Sequence, residues 1–143
     1  KVDQIGGCDI LQDGSDVTLV GCGLMVEVAM KAAEELKKEG INAAVINAYC
    51  IKPLAENVIL EYAKKTKAMV TVEDHSVIGG LGAAVAQVTS AKCPAVVRTV
   101  GVQDRFGESG LQDDLFEKYG LTAQHIVEEA KKAIAIKEGK ANV

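Results

Sequence analysis

The fold is decided by residues 72–82, which read Val72-Glu73-Asp74-His75-Ser76-Val77-Ile78-Gly79-Gly80-Leu81-Gly82. They follow Ala68-Met69-Val70-Thr71, a run of residues that suits a buried strand. After them, apolar residues recur at the 3.6-residue period of a helix. A strand that ends in polar residues and turns through glycines into a helix is where open α/β sheets place their functional loops. The stretch therefore predicts an α/β fold with a polar loop at the edge of the sheet.

Two interpretations of this loop stay open. Neighbouring residues of an extended backbone point to opposite faces, so three consecutive polar side chains cannot all converge on one ligand. The glycines then serve only to reverse the chain and to let the helix pack tightly on the sheet. Alternatively, the loop is functional: the histidine could act as a general base oriented by a carboxylate, or the loop could form an interface. The candidate residues are Glu73, Asp74, His75, Gly79, Gly80 and Gly82.

The composition is that of one globular domain. The chain has 143 residues, of which 48% are apolar and 25% are charged, a mixture that folds around a core. The net charge is −4 with acidic and basic residues interspersed, which argues against a nucleic-acid partner. No run is long and apolar enough to span a membrane and no leader is recognisable, so we expect neither membrane association nor secretion. The chain starts at Lys1 rather than Met, which is compatible with a fragment.

The four cysteines, Cys8, Cys22, Cys50 and Cys93, are widely and irregularly spaced. No Cys-x-x-Cys pair occurs, and the two distant histidines do not supply the spacing of a zinc site. We interpret all four as reduced thiols of a cytosolic protein rather than as a disulfide framework.

Strands and helices alternate along the chain. Right-handed crossovers between such elements give a largely parallel sheet covered by helices on both faces. We expect four loops at the carboxyl edge of this sheet, at residues 21–24, 48–54, 73–82 and 101–110, and a flexible tail at residues 137–143. The predicted strands are 17–22, 42–47, 68–72 and 95–100, with 8–11 as a candidate edge strand; the predicted helices are 24–38, 55–64, one that follows Gly80 and ends before Pro94, 111–118, and one capped by Thr122.

The first of these helices has a clear amphipathic pattern that Gly40 is predicted to end. On its solvent side, Glu27 with Lys31 and Glu34 with Lys38 are spaced as ion pairs. The predicted buried stripe consists of Met25, Val28, Ala29, Ala32 and Leu36.

The turn Gly21-Cys22-Gly23 imitates the start of a dinucleotide-binding fingerprint, because it follows a strand and opens a helix. Val26 replaces the third glycine, however, and the second strand ends without the acidic residue that would bind a ribose hydroxyl. Tight packing of a strand against a helix explains the glycines better than NAD binding does.

The loop 101–110 carries a second group of candidate residues. Its Gly107-Glu108-Ser109-Gly110 segment is not the strand-to-helix turn of a hydrolase nucleophile. Arg105 with its acidic neighbours could pair across a partner surface or bind a substrate carboxylate or phosphate, or the loop could satisfy its own charges. Both interpretations stay open for Asp104, Arg105, Glu108 and Ser109.

Several of these segments together resemble the carboxyl-terminal domain of transketolase. The resemblance covers residues 8–136 and includes the 17–23 and 101–110 segments. Related domains occur in deoxyxylulose-phosphate synthases and in the beta chains of 2-oxo acid dehydrogenases, but the Glu-Asp-His triplet favours transketolase. The matching motifs are Val45-Ile46-Asn47 with Ile51-Lys52-Pro53-Leu54, then Thr71-Val72-Glu73-Asp74-His75 and Gly79-Gly80-Leu81-Gly82-Ala83-Ala84-Val85.

The resemblance implies a three-layer α/β/α domain with a five-stranded, mostly parallel sheet whose first strand is antiparallel. The family's enzymes use thiamine diphosphate and a divalent metal, Mg or Ca, to move a two-carbon ketol unit from a ketose phosphate to an aldose phosphate in the pentose phosphate pathway. Pyrimidine-binding and diphosphate-binding domains, both amino-terminal to this one, hold the cofactor across the interface of a homodimer.

This chain has no Gly-Asp-Gly…Asn metal motif and no length for either cofactor domain. The resemblance therefore implies that residues 1–143 are one domain of a larger cytoplasmic transferase, inactive by itself and without catalytic, cofactor-binding or metal-binding residues. We expect the 73–82 and 101–110 loops to contact the neighbouring domain or the dimer partner. Two alternatives remain: the equivalent domain of a deoxyxylulose-phosphate synthase or 2-oxo acid dehydrogenase beta chain, and a free-standing nucleotide-binding module.

Overall fold

A computed structural model describes residues 8–23, 25–48, 55–74, 80–102 and 112–140, with the backbone alone at residues 74, 102 and 112–122. Five strands and four helices lie in these ranges. In chain order they are β1 (Cys8–Gln12), β2 (Val17–Gly21), α1 (Met25–Lys38), β3 (Ala43–Ala48), α2 (Glu56–Thr66), β4 (Ala68–Asp74), α3 (Leu81–Lys92), β5 (Val96–Val102) and α4 (Gln112–Lys137).

The strands form one five-stranded sheet in the order β1-β3-β2-β4-β5. β1 pairs antiparallel with β3, and the other three strand pairs are parallel. The predicted sheet, including the antiparallel first strand at 8–11, is therefore confirmed.

Two apolar clusters lie on opposite faces of the sheet and make the domain three-layered. One cluster joins α1 and α4 to the sheet through side chains such as Leu19, Val70 and Ile126. The other joins α2 and α3 through side chains such as Ile46, Ile59 and Leu81. All five residues of β2 are buried, as expected for a central parallel strand covered on both faces.

Helix α1 follows its sequence pattern closely. All five residues of the predicted stripe, from Met25 to Leu36, are buried against the sheet. The helix ends as predicted at Gly40, whose φ of +80° lies in the left-handed region that glycine adopts readily. The amide of Gly40 donates to the carbonyl of Lys37, and the amide of Ile41 donates to that of Leu36. These two bonds form a Schellman motif, which satisfies carbonyls that the helix would leave unpaired.

The ion pairing at the end of α1 differs from the prediction. Lys38 pairs with Glu35, three residues before it, at a distance of 3.4 Å between Nζ and Oε2, and not with Glu34. Both spacings bring side chains together on a helix surface. The sequence pattern alone could not choose between them.

The last part of the chain differs most from the prediction. One helix, α4, runs without interruption from Gln112 to Lys137, where a helix at 111–118 and a second helix capped by Thr122 were predicted. Gly120 does not end a helix. A glycine inside a helix costs only about 1 kcal/mol relative to alanine. The downstream residues Ala123, Ile126 and Ala130 are buried in the α1–α4 cluster, and this packing offsets a penalty of that size.

The segment 137–143 was expected to be a flexible tail. Lys137 is the last residue of α4, and its ammonium group donates hydrogen bonds of 2.6 Å to the carbonyls of Asp16 and Thr66. Residues 141–143 lie outside the described part of the chain, so their flexibility stays a prediction.

Candidate functional site at the carboxyl edge of the sheet

The carboxyl ends of β2 and β4 lie side by side, with Gly21 beside Val72 in the parallel register. The helix that follows β2 covers one face of the sheet, and the helix that follows β4 covers the other face. Loops that leave neighbouring strands toward opposite faces create the crevice in which open α/β sheets bind ligands. The 73–82 stretch therefore begins at the position where the fold class places its functional loops.

Glu73 is buried at this edge, with only 5% of its surface exposed. Its Oε1 accepts a hydrogen bond of 3.0 Å from the amide of Leu81, and its Oε2 accepts one of 3.0 Å from the amide of Gly82. These amides belong to the first turn of α3, whose donors have no partners within the helix. A carboxylate also interacts favourably with the positive end of a helix dipole. Glu73 therefore caps α3.

Gly82 permits the close approach of α3 to the sheet. A Cβ atom at this position would lie 2.8 Å from Cγ2 of Thr99, 3.1 Å from Oγ1 of Thr71 and 3.4 Å from Oε2 of Glu73. The packing interpretation of this glycine is thus supported. Gly80, just before the helix, has φ −81° and ψ −68°, a conformation open to any residue, so its backbone does not require glycine.

The other candidate residues cannot be placed in the same detail. Asp74 is the last residue of β4, paired in register with Val102 of β5, and only its backbone is described. The structure thus brings together Glu73, Gly80 and Gly82 of the predicted set. Lying outside the described residues are His75, Gly79, Asp104, Arg105, Glu108 and Ser109.

Sequence reasoning missed two buried polar groups near this edge. Thr71 lies two residues before Glu73 on β4, and its Oγ1 is buried without a hydrogen-bond partner among the described residues. Within the same described ranges, Oδ1 of Asn47, next to the end of β3, is also buried and without a partner. The signal for Thr71 was available, because residues i and i+2 of a strand share a face.

The turn that imitates a dinucleotide fingerprint is explained by packing. A Cβ atom on Gly21 would lie 3.2 Å from Cα of Val26 in the first turn of α1. Gly23 has a φ of +65°, a backbone conformation that residues other than glycine rarely adopt. Each glycine therefore has a local structural reason.

A second polar cluster closes the opposite, amino edge of the sheet. Asp13 Oδ1 accepts hydrogen bonds from Tyr62 Oη at 2.8 Å, Lys65 Nζ at 2.7 Å and the amide of Gly14 at 2.9 Å. The bond from Lys65, followed by those from Tyr62 and Gly14, lowers the pKa of Asp13 below its ordinary value. Burial, with the bond to Asp13, raises the pKa of Tyr62 to about 12. The cluster joins the β1–β2 turn to α2 and is structural.

Glu129 of α4 is the second buried carboxylate of the described residues, with 6% of its surface exposed. Its Oε1 accepts from Arg98 Nε at 2.7 Å, and its Oε2 accepts from Lys132 Nζ at 3.1 Å. Burial alone would raise the pKa of Glu129, but the hydrogen bonds from Arg98 and Lys132 outweigh it and lower that pKa. The group ties α4 to β5 and lies on the face of the sheet away from α3.

The described residues do not fit the divalent metal of the family's enzymes. Within the described ranges, no group of three or more His, Cys, Asp or Glu side chains could hold a metal ion. The buried carboxylate nearest the crevice, Glu73, already accepts an amide on each oxygen. None of the helices in the described part of the chain is long and apolar enough to cross a membrane.

The family model "Transketolase, C-terminal domain" matches residues 6–126. A 6-deoxy-6-sulfo-D-fructose transketolase subunit from Clostridium sp. (strain MSTE9) is 50% identical over 126 residues, which are 88% of this chain and 39% of that protein. The 1-deoxy-D-xylulose-5-phosphate synthase of Heliobacterium modesticaldum is 38% identical over 140 residues, which are 97% of this chain and 22% of that protein. The chain thus spans well under half the length of these relatives.

A similar solved structure agrees with the sequence matches. A split-gene transketolase, described as an inactive beta4 tetramer, superposes with a TM-score of 0.79 and 45% sequence identity. The match covers 93% of this chain and 43% of that one. Since the family model covers most of the chain and the fold agrees, this protein belongs to the transketolase C-terminal domain family.

Proposed function

We propose that this chain is the carboxyl-terminal domain of a thiamine diphosphate-dependent transketolase, which moves a two-carbon ketol unit from a ketose phosphate to an aldose phosphate. The proposal is supported by 50% identity to a transketolase subunit across 88% of the chain. Because the chain spans only 39% of that relative, the reaction needs further residues, which we assign to pyrimidine-binding and diphosphate-binding domains. A cytoplasmic location and a role in the pentose phosphate pathway belong to the same proposal.

The role of this domain is to support the reaction centre rather than to carry it. This role is supported by the hydrogen bonds of Glu73: both of its carboxylate oxygens accept backbone amides of α3 within the domain. A buried carboxylate that is held in this way fixes the first turn of a helix and the end of its strand. It thereby holds both ends of the 75–79 segment at the edge that faces the rest of the enzyme. Thiamine diphosphate and Mg or Ca would be bound by the other domains.

The direct test is an assay of the complete enzyme that contains this chain. With thiamine diphosphate and Mg²⁺ we expect transfer of a ketol unit from a ketose phosphate to an aldose phosphate. Since one relative is named for 6-deoxy-6-sulfo-D-fructose, that ketose is assayed as a donor beside fructose 6-phosphate. Absence of transfer from every ketose tested would contradict the proposal.

A second candidate function comes from the deoxyxylulose-phosphate synthases. One of them matches 97% of this chain at 38% identity, a longer but less similar match than the transketolase subunit gives. The same preparation is therefore assayed for formation of 1-deoxy-D-xylulose 5-phosphate. That product without ketol transfer would assign the domain to a synthase. Stable capture of an acyltransferase core would instead indicate a 2-oxo acid dehydrogenase beta chain.

The supporting role includes the dimer interface, which we place on the 73–82 and 101–110 loops. Glu73 is unsuitable for testing this, because its replacement would uncap α3. We therefore choose Asp74→Lys and Arg105→Glu in the complete enzyme, and expect at least a tenfold rise in the dimer dissociation constant, measured by analytical ultracentrifugation. Lys31→Glu, an exposed charge reversal on α1, is the control. Equal dissociation constants for all variants would remove the dimer role.

A further inference from the structure

Two large apolar side chains stand out on the surface of this domain. Ile10 is 46% exposed and Leu11 is 44% exposed, and they are the exposed large hydrophobic residues of the described ranges. They are consecutive and lie on β1, an edge strand that pairs with β3 alone. Neighbouring residues of a regular strand point to opposite faces, but the register shift between Ile10 and Gln12 leaves Leu11 out of the ladder. Both apolar side chains are therefore available for contact at this edge.

The shape of this edge indicates what kind of surface can cover it. The register between β1 and β3 shifts between Ile10 and Gln12, which marks a bulge in the strand. A bulge interrupts the regular row of backbone donors and acceptors and disfavours the addition of another strand. β1 also lacks the lysine or proline that often protects an exposed edge. A cover for this edge therefore packs side chains against it, as the surface of a folded domain does.

β5, the edge strand on the other side of the sheet, exposes polar and small residues. On β5, Arg98 is tied to Glu129 of α4, and Thr99 and Gly101 are exposed. These residues offer polar and small groups in place of an aliphatic surface. An apolar partner surface consequently fits β1 and not β5.

Chain connectivity identifies the partner. Cys8, the first residue of β1, pairs with Ala48 at the end of β3, so the chain enters the domain at its carboxyl edge. Residues that precede Cys8 in the complete enzyme are tethered to the start of β1, which holds them near it at a high effective concentration. The matched family model is a C-terminal domain, and the chain spans only 39% of the transketolase subunit, so in a complete enzyme we assign such residues to a preceding domain.

We propose that the domain preceding this one in the complete enzyme packs an aliphatic surface against Ile10 and Leu11. This inference rests on the proposed function only in requiring a preceding domain. It assigns the β1 edge to contact within one polypeptide, while the 73–82 and 101–110 loops face the dimer partner. The domain thus has two separate contact surfaces, one apolar and one polar.

The first test measures accessibility in the complete enzyme. Leu11→Cys is compared with Ser90→Cys, an exposed position on α3, for the rate of alkylation by N-ethylmaleimide, read by peptide mass spectrometry. The parent enzyme gives the background from the native cysteines. We expect Leu11→Cys to react at least tenfold more slowly than Ser90→Cys in the native enzyme, and equally fast after denaturation. Similar rates in the native enzyme would overturn the proposal.

The second test identifies what covers β1. Photo-leucine, which is close to leucine in shape, is incorporated into the complete enzyme, and crosslinks from Leu11 are mapped after illumination. Mixing enzyme of two isotopic compositions separates contacts within a chain from contacts between chains. We expect crosslinks within one chain, to residues that precede this domain. Crosslinks to a second copy, or none at all, would contradict the proposal. Neither readout depends on turnover, so an enzyme without ketol transfer can still show this contact.

Discussion

Thr18 and Thr71 are buried threonines on the neighbouring strands β2 and β4, and they differ in their hydrogen bonding. Thr18 Oγ1 shares a bond of 2.8 Å with Thr66 Oγ1, whereas Thr71 Oγ1 has no partner among the described residues. A buried hydroxyl without a partner costs about 1–3 kcal/mol relative to one that is satisfied. Valine has the same shape as threonine and would fill this position without burying an unpaired hydroxyl.

Replacing each threonine by valine separates these two situations. We expect Thr71→Val to leave the free energy of unfolding unchanged or to raise it by up to about 1 kcal/mol, because no hydrogen bond is lost. Thr18→Val is the matched control and should lower that free energy by about 1 kcal/mol. Urea unfolding followed by circular dichroism measures both. Equal losses in the two variants would mean that Thr71 has a partner in solution.

Tyr62 gives the domain a characteristic response to alkaline pH. It is 4% exposed, and its pKa is raised from 10.0 to about 12. Because the folded pKa exceeds the unfolded one, the associated stabilisation is complete below pH 10 and is lost as the pH rises toward 12. A rise of that size corresponds to roughly 3 kcal/mol.

We expect the unfolding free energy of the parent protein to fall more steeply between pH 10 and 12 than that of Tyr62→Phe. Lysines titrate in the same range, and the difference between the two proteins removes their contribution. Tyrosinate absorbance at 295 nm reports the ionisation directly. Parallel pH profiles for the parent and Tyr62→Phe would show that Tyr62 is not protected by its burial.

At the scale of one element, Glu73 decides how α3 begins. Glu73→Gln retains one carbonyl oxygen but places an amide nitrogen against a backbone N–H, and it removes the charge that interacts with the helix dipole. We expect a loss of about 1.5–3 kcal/mol in unfolding free energy, the range for hydrogen bonds to a charged group. Glu34→Gln, on the exposed side of α1, should change stability by less than about 0.5 kcal/mol. A similarly small change at Glu73 would show that the cap contributes little.

The close packing of α3 against the sheet depends on Gly82. We expect Gly82→Ala to destabilise the protein by about 1–3 kcal/mol, since the added methyl group meets the buried Thr71 as well as Thr99. Gly101→Ala on β5 is the control, because an added Cβ there meets nothing within 4 Å. It should be neutral or stabilising by up to about 1 kcal/mol. Thermal unfolding of the two variants side by side tests the difference, and equal effects would argue against close packing at Gly82.

The element predictions succeeded where a local pattern had a single meaning. Continuous apolar runs between turns predicted β2 and β4, and the 3.6-residue stripe predicted α1. They failed where the outcome depended on distant packing, as in α4. The end of α2 was also predicted two residues early, at Lys64. It closes with Lys67 at a φ of +60°, so the usual glycine signal for a helix end is absent.

The sequence predicted where the candidate site lies in the fold, but not which hydrogen bonds its residues form. Reading a strand followed by polar residues located Glu73 at the carboxyl edge. The bonds from Leu81 and Gly82 depend on how α3 is oriented over β4, which no local pattern specifies. Thr71 and Asn47 were overlooked because threonine and asparagine are common in strands and loops, and only burial distinguishes these two.

At the scale of the whole molecule, the amino and carboxyl edges of the sheet, where the parallel strands begin and end, are built differently. The amino edge is closed by the domain's own residues: Asp13 binds Tyr62 and Lys65, and Asp16 Oδ2 accepts from the amide of Asn42 at 2.7 Å. The carboxyl edge carries the long loops and receives the chain from the preceding residues. This asymmetry suits a domain that is stabilised at one edge and presents the other to the rest of an enzyme.

Lys137 connects three distant parts of the chain and gives the most global prediction. Its ammonium group joins the end of α4 to the start of β2 and to the end of α2 through the carbonyls of Asp16 and Thr66. We expect Lys137→Met, which keeps the apolar stem, to lower the unfolding free energy by about 1.5–3 kcal/mol.

Lys140→Met is the control for this change, because Lys140 pairs with Glu138 on the surface and such pairs contribute at most about 1 kcal/mol. Hydrogen exchange provides the second measurement. In Lys137→Met, amides at the end of α4 and in the turn before β2 should exchange faster together, since one side chain holds both segments. If only the last turn of α4 lost protection, Lys137 would be a local helix cap and the amino edge would be closed without it.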